Sequence, residues 1–171
     1  MRWVCVVVVS LLLSAEPMTA DQQRCRGSRL PPNVSARDDL AQVVSRIYDR
    51  SPTFRAQCAR IAAAGNVRVT IQIDTAIPTR CRAFTIVSRR GYDIRAQVHL
   101  PPSSSLTELV AHEFEHVLEQ IEGMNLRALT RKKDSGVREV EGGAFETDRA
   151  QAAGRVVAAE VSGRHYSPAA D

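Results

Sequence analysis

Residues 111–117 read Ala-His-Glu-Phe-Glu-His-Val and contain the motif H-E-x-x-H within an apolar run of helical spacing. In a helix, His112 and His116 lie one turn apart on the same side, so their ring nitrogens can reach one ion. Zinc favours such nitrogen ligands, and the carboxylate of Glu113 could accept a proton from a water. The motif therefore predicts a zinc site on a helix.

The helix that carries the motif is predicted to run from about residue 106 to 122. Ser105, followed three residues later by Glu108, is a capping-box signature for its start. One side of the predicted helix is apolar and suited to a core, and it consists of Leu106, Val110, Phe114, Val117, Leu118 and Ile121. The histidines project from another side. Glu108, Glu115 and Glu119 are predicted to lie outward.

The flanking sequence predicts an α+β fold. Asp38-Asp39 and Ser51-Pro52 are typical of helix starts, and a final helix is expected at about residues 144–161. Alternating or β-rich segments predict strands at 67–73, 83–87 and 93–100. Short connections indicate a small, mainly antiparallel sheet. We expect this sheet to pack on the N-terminal helices, the central motif-bearing helix and a C-terminal helix, in a single domain at 37–162.

The N-terminus resembles a secretory signal. Met1-Arg2 precedes an apolar run to Leu13, and small residues lead to a predicted cleavage after Ala20. Residues 21–36 are then an extended arm, and 163–171 a flexible tail. These features predict an exported protein, periplasmic or extracellular. The alternative is an uncleaved membrane anchor, and only that alternative implies a membrane partner.

Composition limits the kinds of partner that we expect. The chain has 171 residues, 44% apolar and 25% charged, as in a globular domain. Its net charge of +4 comes from scattered arginines, which indicate a solvated surface more than a site for acidic polymers. Aromatic residues make up 5%, so nothing suggests a base-stacking surface, and we expect no nucleic-acid partner.

Three cysteines remain after removal of the predicted signal: Cys25, Cys58 and Cys81. Export permits a disulfide, and a bridge between Cys58 and Cys81 is one interpretation. The other is that all three are thiols, since the sequence contains no C-x-x-C spacing.

A zinc site needs a third protein ligand. The metzincin extension of the motif is absent, because Glu119 and Glu122 occupy the positions where glycine and histidine are required. The best downstream residue is Glu146, which we expect at the start of the last helix. Its competitors are Glu139, Glu141, Asp148 and His165.

His112, Glu113 and His116 followed by Glu146 resemble the gluzincin zinc metallopeptidases. The closer likeness is to small exported bacterial proteins with a later aromatic-Glu-Thr segment, here residues 145–147, and segment 50–55 belongs to it. The resemblance implies zinc bound by the two histidines and Glu146, with Glu113 as general base and a peptide or protein substrate. Such a peptide could add to the 93–100 strand as an edge strand, or that strand could be structural, with both edges covered.

The chain departs from the gluzincin pattern at one position. Many gluzincins have an acidic residue four positions after the ligand glutamate, where it supports a histidine ligand, but Ala150 stands there. Aligning Asp148 with that acid would put Ala144 in the ligand position, so the register that keeps Glu146 is preferred. The residue that stabilises the oxyanion stays open among Tyr92, His99, His165, Tyr166 and an arginine.

Three functions compete on this basis. The first is an exported zinc-dependent hydrolase, a metallopeptidase in which Glu113 activates water. The second is a non-catalytic zinc-binding or envelope-interaction protein with a metallopeptidase-like fold. The missing acid, the small size of the chain and the lack of a substrate-cleft domain favour it. The third is a chain without metal, in which the two histidines are merely exposed helix residues.

Overall fold

The computed structural model of the chain describes residues 30–37, 40–77, 82–103, 105–140 and 143–164. These residues form five helices and six strands, which confirms the α+β class. The helices are α1 (Leu40–Arg50), α2 (Pro52–Ala63), α3 (Leu106–Ile121), α4 (Leu126–Leu129) and α5 (Asp148–Ser162). The strands are β1 (Val34–Ala36), β2 (Val67–Ile73), β3 (Phe84–Arg90), β4 (Asp93–Leu100), β5 (Val137–Val140) and β6 (Ala144–Thr147).

Several predictions for the ends of the chain lie outside the described residues. They are the signal at 1–20, the arm before residue 30, the helix start at Asp38-Asp39 and the tail from residue 165 onward. Among the helices that the structure describes, none has the length and apolar content needed to cross a membrane.

The main sheet is mixed, which corrects the prediction of a mainly antiparallel sheet. Its strand order is β1-β2-β4-β3, and β2 pairs in parallel with both β1 and β4. The only antiparallel pair of this sheet, β3 with β4, is a hairpin whose turn contains Gly91 at a φ of 60°. Strand β3 follows β2 in the chain but lies on the far side of β4, at the edge of the sheet. The short connection therefore predicted the antiparallel β3–β4 hairpin correctly, but connection lengths did not predict that β2 pairs in parallel with β4.

One face of the sheet packs against the helices. Val69, Ile71 and Val98 on this face are fully buried, while the alternate residues of β2 and β4 are mostly polar and more exposed. Helix α3 is central, because it packs on the sheet and also contacts α1, α2 and α5. The rings of Phe54 and Phe114, 4.9 Å apart between centroids, join α2 to α3 in this core.

The last helix begins later than predicted. Residues 144–147 form β6, which pairs with β5 in an antiparallel hairpin, and α5 starts at Asp148. Thr147 caps α5, since its side chain accepts a hydrogen bond from the Ala150 amide at 3.0 Å. Pairing with β5, a strand that the sequence did not predict, explains why the segment before the cap is extended.

Helix α5 crosses close to α3 at Gly154. A Cβ added there would lie 2.9 Å from the Glu108 carbonyl oxygen and 3.4 Å from the His112 Cβ. Only glycine permits this approach, which brings α5 and the preceding strand against the motif-bearing helix.

Of the two predicted helix caps, one is confirmed and one is wrong. Ser51 caps α2 by accepting a hydrogen bond from the Phe54 amide at 2.9 Å, with Pro52 in the first turn. The predicted capping box at Ser105 does not form, because the side chain of Ser105 caps nothing. The hydroxyl of Ser105 instead lies 3.0 Å from the hydroxyl of Ser103. Ser103 Oγ also accepts a hydrogen bond from the Ser105 amide at 3.1 Å.

Cys58 is a free thiol that is fully buried in the core, so the 58–81 bridge is not formed. Burial raises the pKa of its thiol to about 12, which keeps it protonated and unreactive. Cys25 and Cys81 lie outside the described residues.

Candidate metal centre

The two motif histidines face each other from successive turns of α3. Their Nε2 atoms are 3.2 Å apart, and each side chain is about one-sixth exposed, at 16% for His112 and 15% for His116. Both nitrogens therefore point at the same small volume beside the helix.

Strand β6 brings Glu146 to this volume. Its Oε1 lies 3.4 Å from the Nε2 of His112 and 3.9 Å from the Nε2 of His116. The predicted placement in a helix was wrong, but the structure brings the three predicted ligands together. Among the competitors, Asp148 is exposed and paired with Arg138 at 2.7 Å, and Glu139 is exposed. Glu141 and His165 lie outside the described residues.

The donor set fits a metal ion. The three ligand atoms all lie within 4.8 Å of one another. In a tetrahedral zinc site with bonds of about 2.0–2.1 Å, ligand atoms are about 3.3 Å apart, close to the 3.2 and 3.4 Å sides of this triangle. The His112–His116–Glu146 group could therefore hold a metal ion with little rearrangement.

Glu119 hydrogen-bonds the Nδ1 of His116, a role that the sequence did not predict. The Nδ1 of His116 donates to Glu119 Oε2 at 2.8 Å, and Thr147 Oγ1 donates to Glu119 Oε1 at 2.6 Å. The prediction that Glu119 lies outward was wrong, because Glu119 is fully buried where α5 covers α3. The available signal was its position three residues after His116, on the same side of the helix.

This carboxylate replaces the acid that is absent four positions after Glu146. Ala150, at that position, is buried in α5, and the support comes from the motif-bearing helix instead. A histidine that donates from Nδ1 presents its Nε2 lone pair to a metal. The register that aligns Ala144 with the ligand position is not supported, since Glu146 reaches both histidines.

The pKa shifts of the histidines follow from these contacts. Burial lowers the pKa of His112, Glu146 opposes this, and the charges of His116 and Arg82 add to it, so the net shift is downward. Burial also acts to lower the pKa of His116, but the hydrogen bond to Glu119 and the nearby carboxylates raise it overall. Because its pKa is raised, His116 binds its second proton more tightly than an ordinary histidine, and a metal must displace that proton to bind the ring.

Glu113 lies beside the ligand group and is almost completely buried, at 3% exposure. Its Oε2 accepts a hydrogen bond from Thr85 Oγ1 on β3 at 2.7 Å. Burial raises the pKa of Glu113, and the Thr85 hydrogen bond and the charge of His116 only partly offset that rise. A carboxylate with a raised pKa accepts a proton more readily than an exposed glutamate does.

Glu115, the other acid within the motif, is also buried, so the prediction that it lies outward was wrong. Its carboxylate accepts hydrogen bonds from Gln57 Nε2 at 2.6 Å and Arg149 Nε at 2.5 Å. These contacts tie α2, α3 and α5 together. Glu115 is therefore a structural brace between the helices.

Two of the predicted oxyanion residues lie away from the site. Tyr92 is 92% exposed in the β3–β4 turn, whereas Thr85 is at the other end of that hairpin, opposite Val98. His99 points to the opposite face of β4 from Val98, where it contacts Asp74 at 2.9 Å. His165 and Tyr166 lie outside the described residues. Among the arginines, Arg82 lies near enough to His112 for its charge to lower the pKa of that histidine.

Strand 93–100 has both edges paired, with β2 on one side and β3 on the other. The prediction of strand addition at this strand was therefore wrong, and the alternative of a covered structural strand is correct. The edge next to Glu113 belongs to β3.

We expect replacement of Glu119 by glutamine to weaken metal binding about 10–100-fold. Glutamine keeps the size of the side chain, but its amide cannot accept the Nδ1 proton of His116 if its oxygen faces Thr147. Zinc affinity measured by competition with a chromophoric chelator checks this, with Glu122→Gln, at the C-terminal cap of the same helix, as control. Equal affinities of the two variants would show that Glu119 does not support the ligand.

Comparison with known proteins adds no relative. No protein-family model matches the chain, and neither a curated protein nor a solved structure matches it. The resemblance to gluzincins therefore stays a prediction from the motif residues and Glu146.

Proposed function

We propose that the chain is an exported zinc-dependent hydrolase, a metallopeptidase in which His112, His116 and Glu146 hold zinc and Glu113 is the general base. The approach of Glu146 Oε1 to both imidazoles is the observation that carries this proposal. Two nitrogen ligands and one carboxylate suit zinc and leave one position open. When bound, zinc supplies a Lewis acid and lowers the pKa of a water.

The residues of the chain have distinct roles in the proposed reaction. Glu113 accepts the proton of the attacking water and passes it to the leaving amine. Glu119 orients His116 through its Nδ1 proton. No nucleophilic side chain is required, so the hydrolysis proceeds without a covalent link to the protein.

The edge strand β3 supports a peptide or protein as substrate. Within the part of the chain that the structure describes, β3 pairs with β4 alone, and its Thr85 contacts Glu113. An extended peptide could add to such an edge by backbone hydrogen bonds, which would bring its amides past the general base. The signal predicted at residues 1–20 would place this reaction in the periplasm or outside the cell.

The non-catalytic alternative loses one of its supports. It was favoured by the missing acid behind the histidine ligand, and Glu119 now occupies that role. The remaining distinction is turnover.

The test is metal analysis followed by peptide-library profiling of protein purified without a histidine tag. We expect one zinc per chain and library cleavage that a chelator abolishes and added zinc restores. Absence of stoichiometric zinc would contradict the metal site. Stoichiometric zinc without any cleavage would instead establish the non-catalytic binding function.

A further inference from the structure

Thr85 is placed to orient the general base. Among the described residues it is the one hydrogen-bond donor to the Glu113 carboxylate, at 2.7 Å between Thr85 Oγ1 and Glu113 Oε2. Glu113 is almost completely buried, so bulk solvent competes little with Thr85 for this carboxylate. A hydrogen bond to a buried charged group is among the stronger ones in proteins.

The position of Thr85 itself is set by the sheet. Thr85 lies opposite Val98 in the β3–β4 register, and Val98 is fully buried against the helices. The β-branched side chain of threonine has few rotamers, and here its hydroxyl points from the sheet toward α3. The hydroxyl is therefore held on a rigid element and not on a loop.

The hydrogen bond distinguishes the two oxygens of Glu113. Oε2 is engaged by Thr85, whereas the structure gives Oε1 no donor from any described residue. The carboxylate also lies near enough to His116 for its charge to act on that imidazole. One oxygen is thus anchored to the sheet, while the other has no protein donor among the described residues.

We propose that Thr85 is a positioning residue, which holds Glu113 by Oε2 so that Oε1 is free to take the proton of the attacking water. This inference rests on the proposed hydrolytic function. Without the hydroxyl, nothing holds Oε2 and the carboxylate of Glu113 can rotate. The carboxylate then spends less time with Oε1 in the orientation that takes the proton of the water.

The test compares Thr85→Val, Thr85→Ser and Thr70→Val in the zinc-loaded full chain. Valine has the shape of threonine without the hydroxyl, and serine restores the hydroxyl without the methyl group. Thr70 is a matched control, because it lies on β2 and its hydroxyl contacts Ser35 instead of the site. Metal content and thermal stability are measured for every variant.

With a peptide found by library profiling, we expect Thr85→Val to lower kcat by about 10–100-fold, with KM changed little. Thr85→Ser should recover most of the loss, and Thr70→Val should behave as wild type. A kcat of Thr85→Val equal to that of Thr70→Val, or no recovery in Thr85→Ser, would overturn the proposal.

A second measurement does not depend on turnover. Acetohydroxamic acid, whose acidic proton can pass to the base as its anion binds zinc through two oxygens, is titrated into each zinc-loaded variant. We expect about tenfold weaker binding to Thr85→Val, and no further effect of that substitution in a Glu113→Gln background. Equal affinity of Thr85→Val and wild type, or no binding to either, would contradict the positioning role. A wild type that binds acetohydroxamate but cleaves no peptide would contradict the proposed function alone.

Discussion

Replacement of Glu113 by glutamine is expected to lower kcat by about 10²–10⁴-fold while the chain still binds one zinc. Glutamine has the size of glutamate and can still accept the hydrogen bond from Thr85. It cannot accept a proton from water, so only the general-base step is lost. The rate of cleavage of a library-derived peptide, with metal analysis of the same sample, measures both parts of this prediction.

Glu115→Gln is the matched control for that variant. Glu115 is in the same motif and is also buried, but its partners are Gln57 and Arg149, away from the ligand group. We expect this control to be less stable, because Gln57 and Arg149 then donate to a neutral amide in place of the buried carboxylate of Glu115. We expect it to retain its kcat below its unfolding temperature. An unchanged rate of cleavage by Glu113→Gln would contradict the proposed mechanism. Loss of zinc from this variant would show that Glu113 acts on the metal site and not on water.

Replacement of Glu146 by alanine is expected to weaken zinc binding by more than about a hundredfold, beyond the effect of outer partners such as Glu119. Glu146 supplies the one carboxylate of the ligand triangle, and its Oε1 lies 3.4 Å from His112 Nε2. Competition with a chromophoric chelator measures the affinity. The visible spectrum of the cobalt-substituted chain should also change, since it reports the number of ligands.

Asp148→Asn is the control for Glu146→Ala. Asp148 is only two residues away and is also acidic, but it is exposed and bound to Arg138 at 2.7 Å. We expect its zinc affinity to equal that of wild type. If Glu146→Ala bound zinc as tightly as Asp148→Asn, Glu146 would not be a ligand, and the gluzincin-like site would be reduced to its two histidines.

The local features of the site could be predicted from the sequence. His112, Glu113 and His116 lie within five consecutive residues of one helix, and helical periodicity alone places both imidazoles on one side. The cap at Ser51 and the alternation of β2 and β4 were predictable for the same reason. Each depends on residues no more than a few positions apart.

The surroundings of α3 could not be predicted in this way. Periodicity identified the apolar side of α3, and its polar residues were predicted to face water. Helices α2 and α5 instead pack against α3 and cover part of this polar side. Glu115 and Glu119 are buried there because Gln57, Arg149 and Thr147 satisfy their carboxylates. Burial of a charged group depends on distant partners that no local pattern reveals.

The motif therefore predicted two candidate ligands and the proposed base, and the packing of distant elements supplied the rest of the candidate site. Glu146 reaches the histidines from a strand, because Arg138 and its neighbours pair with residues 144–147 and α5 crosses α3 closely at Gly154. Thr85 reaches Glu113, because β3 lies at the edge of the sheet and not between β2 and β4. Helical spacing is a property of one short segment. Strand order and helix crossing depend on the free energy of packing and pairing over the whole chain, which short-range patterns do not contain.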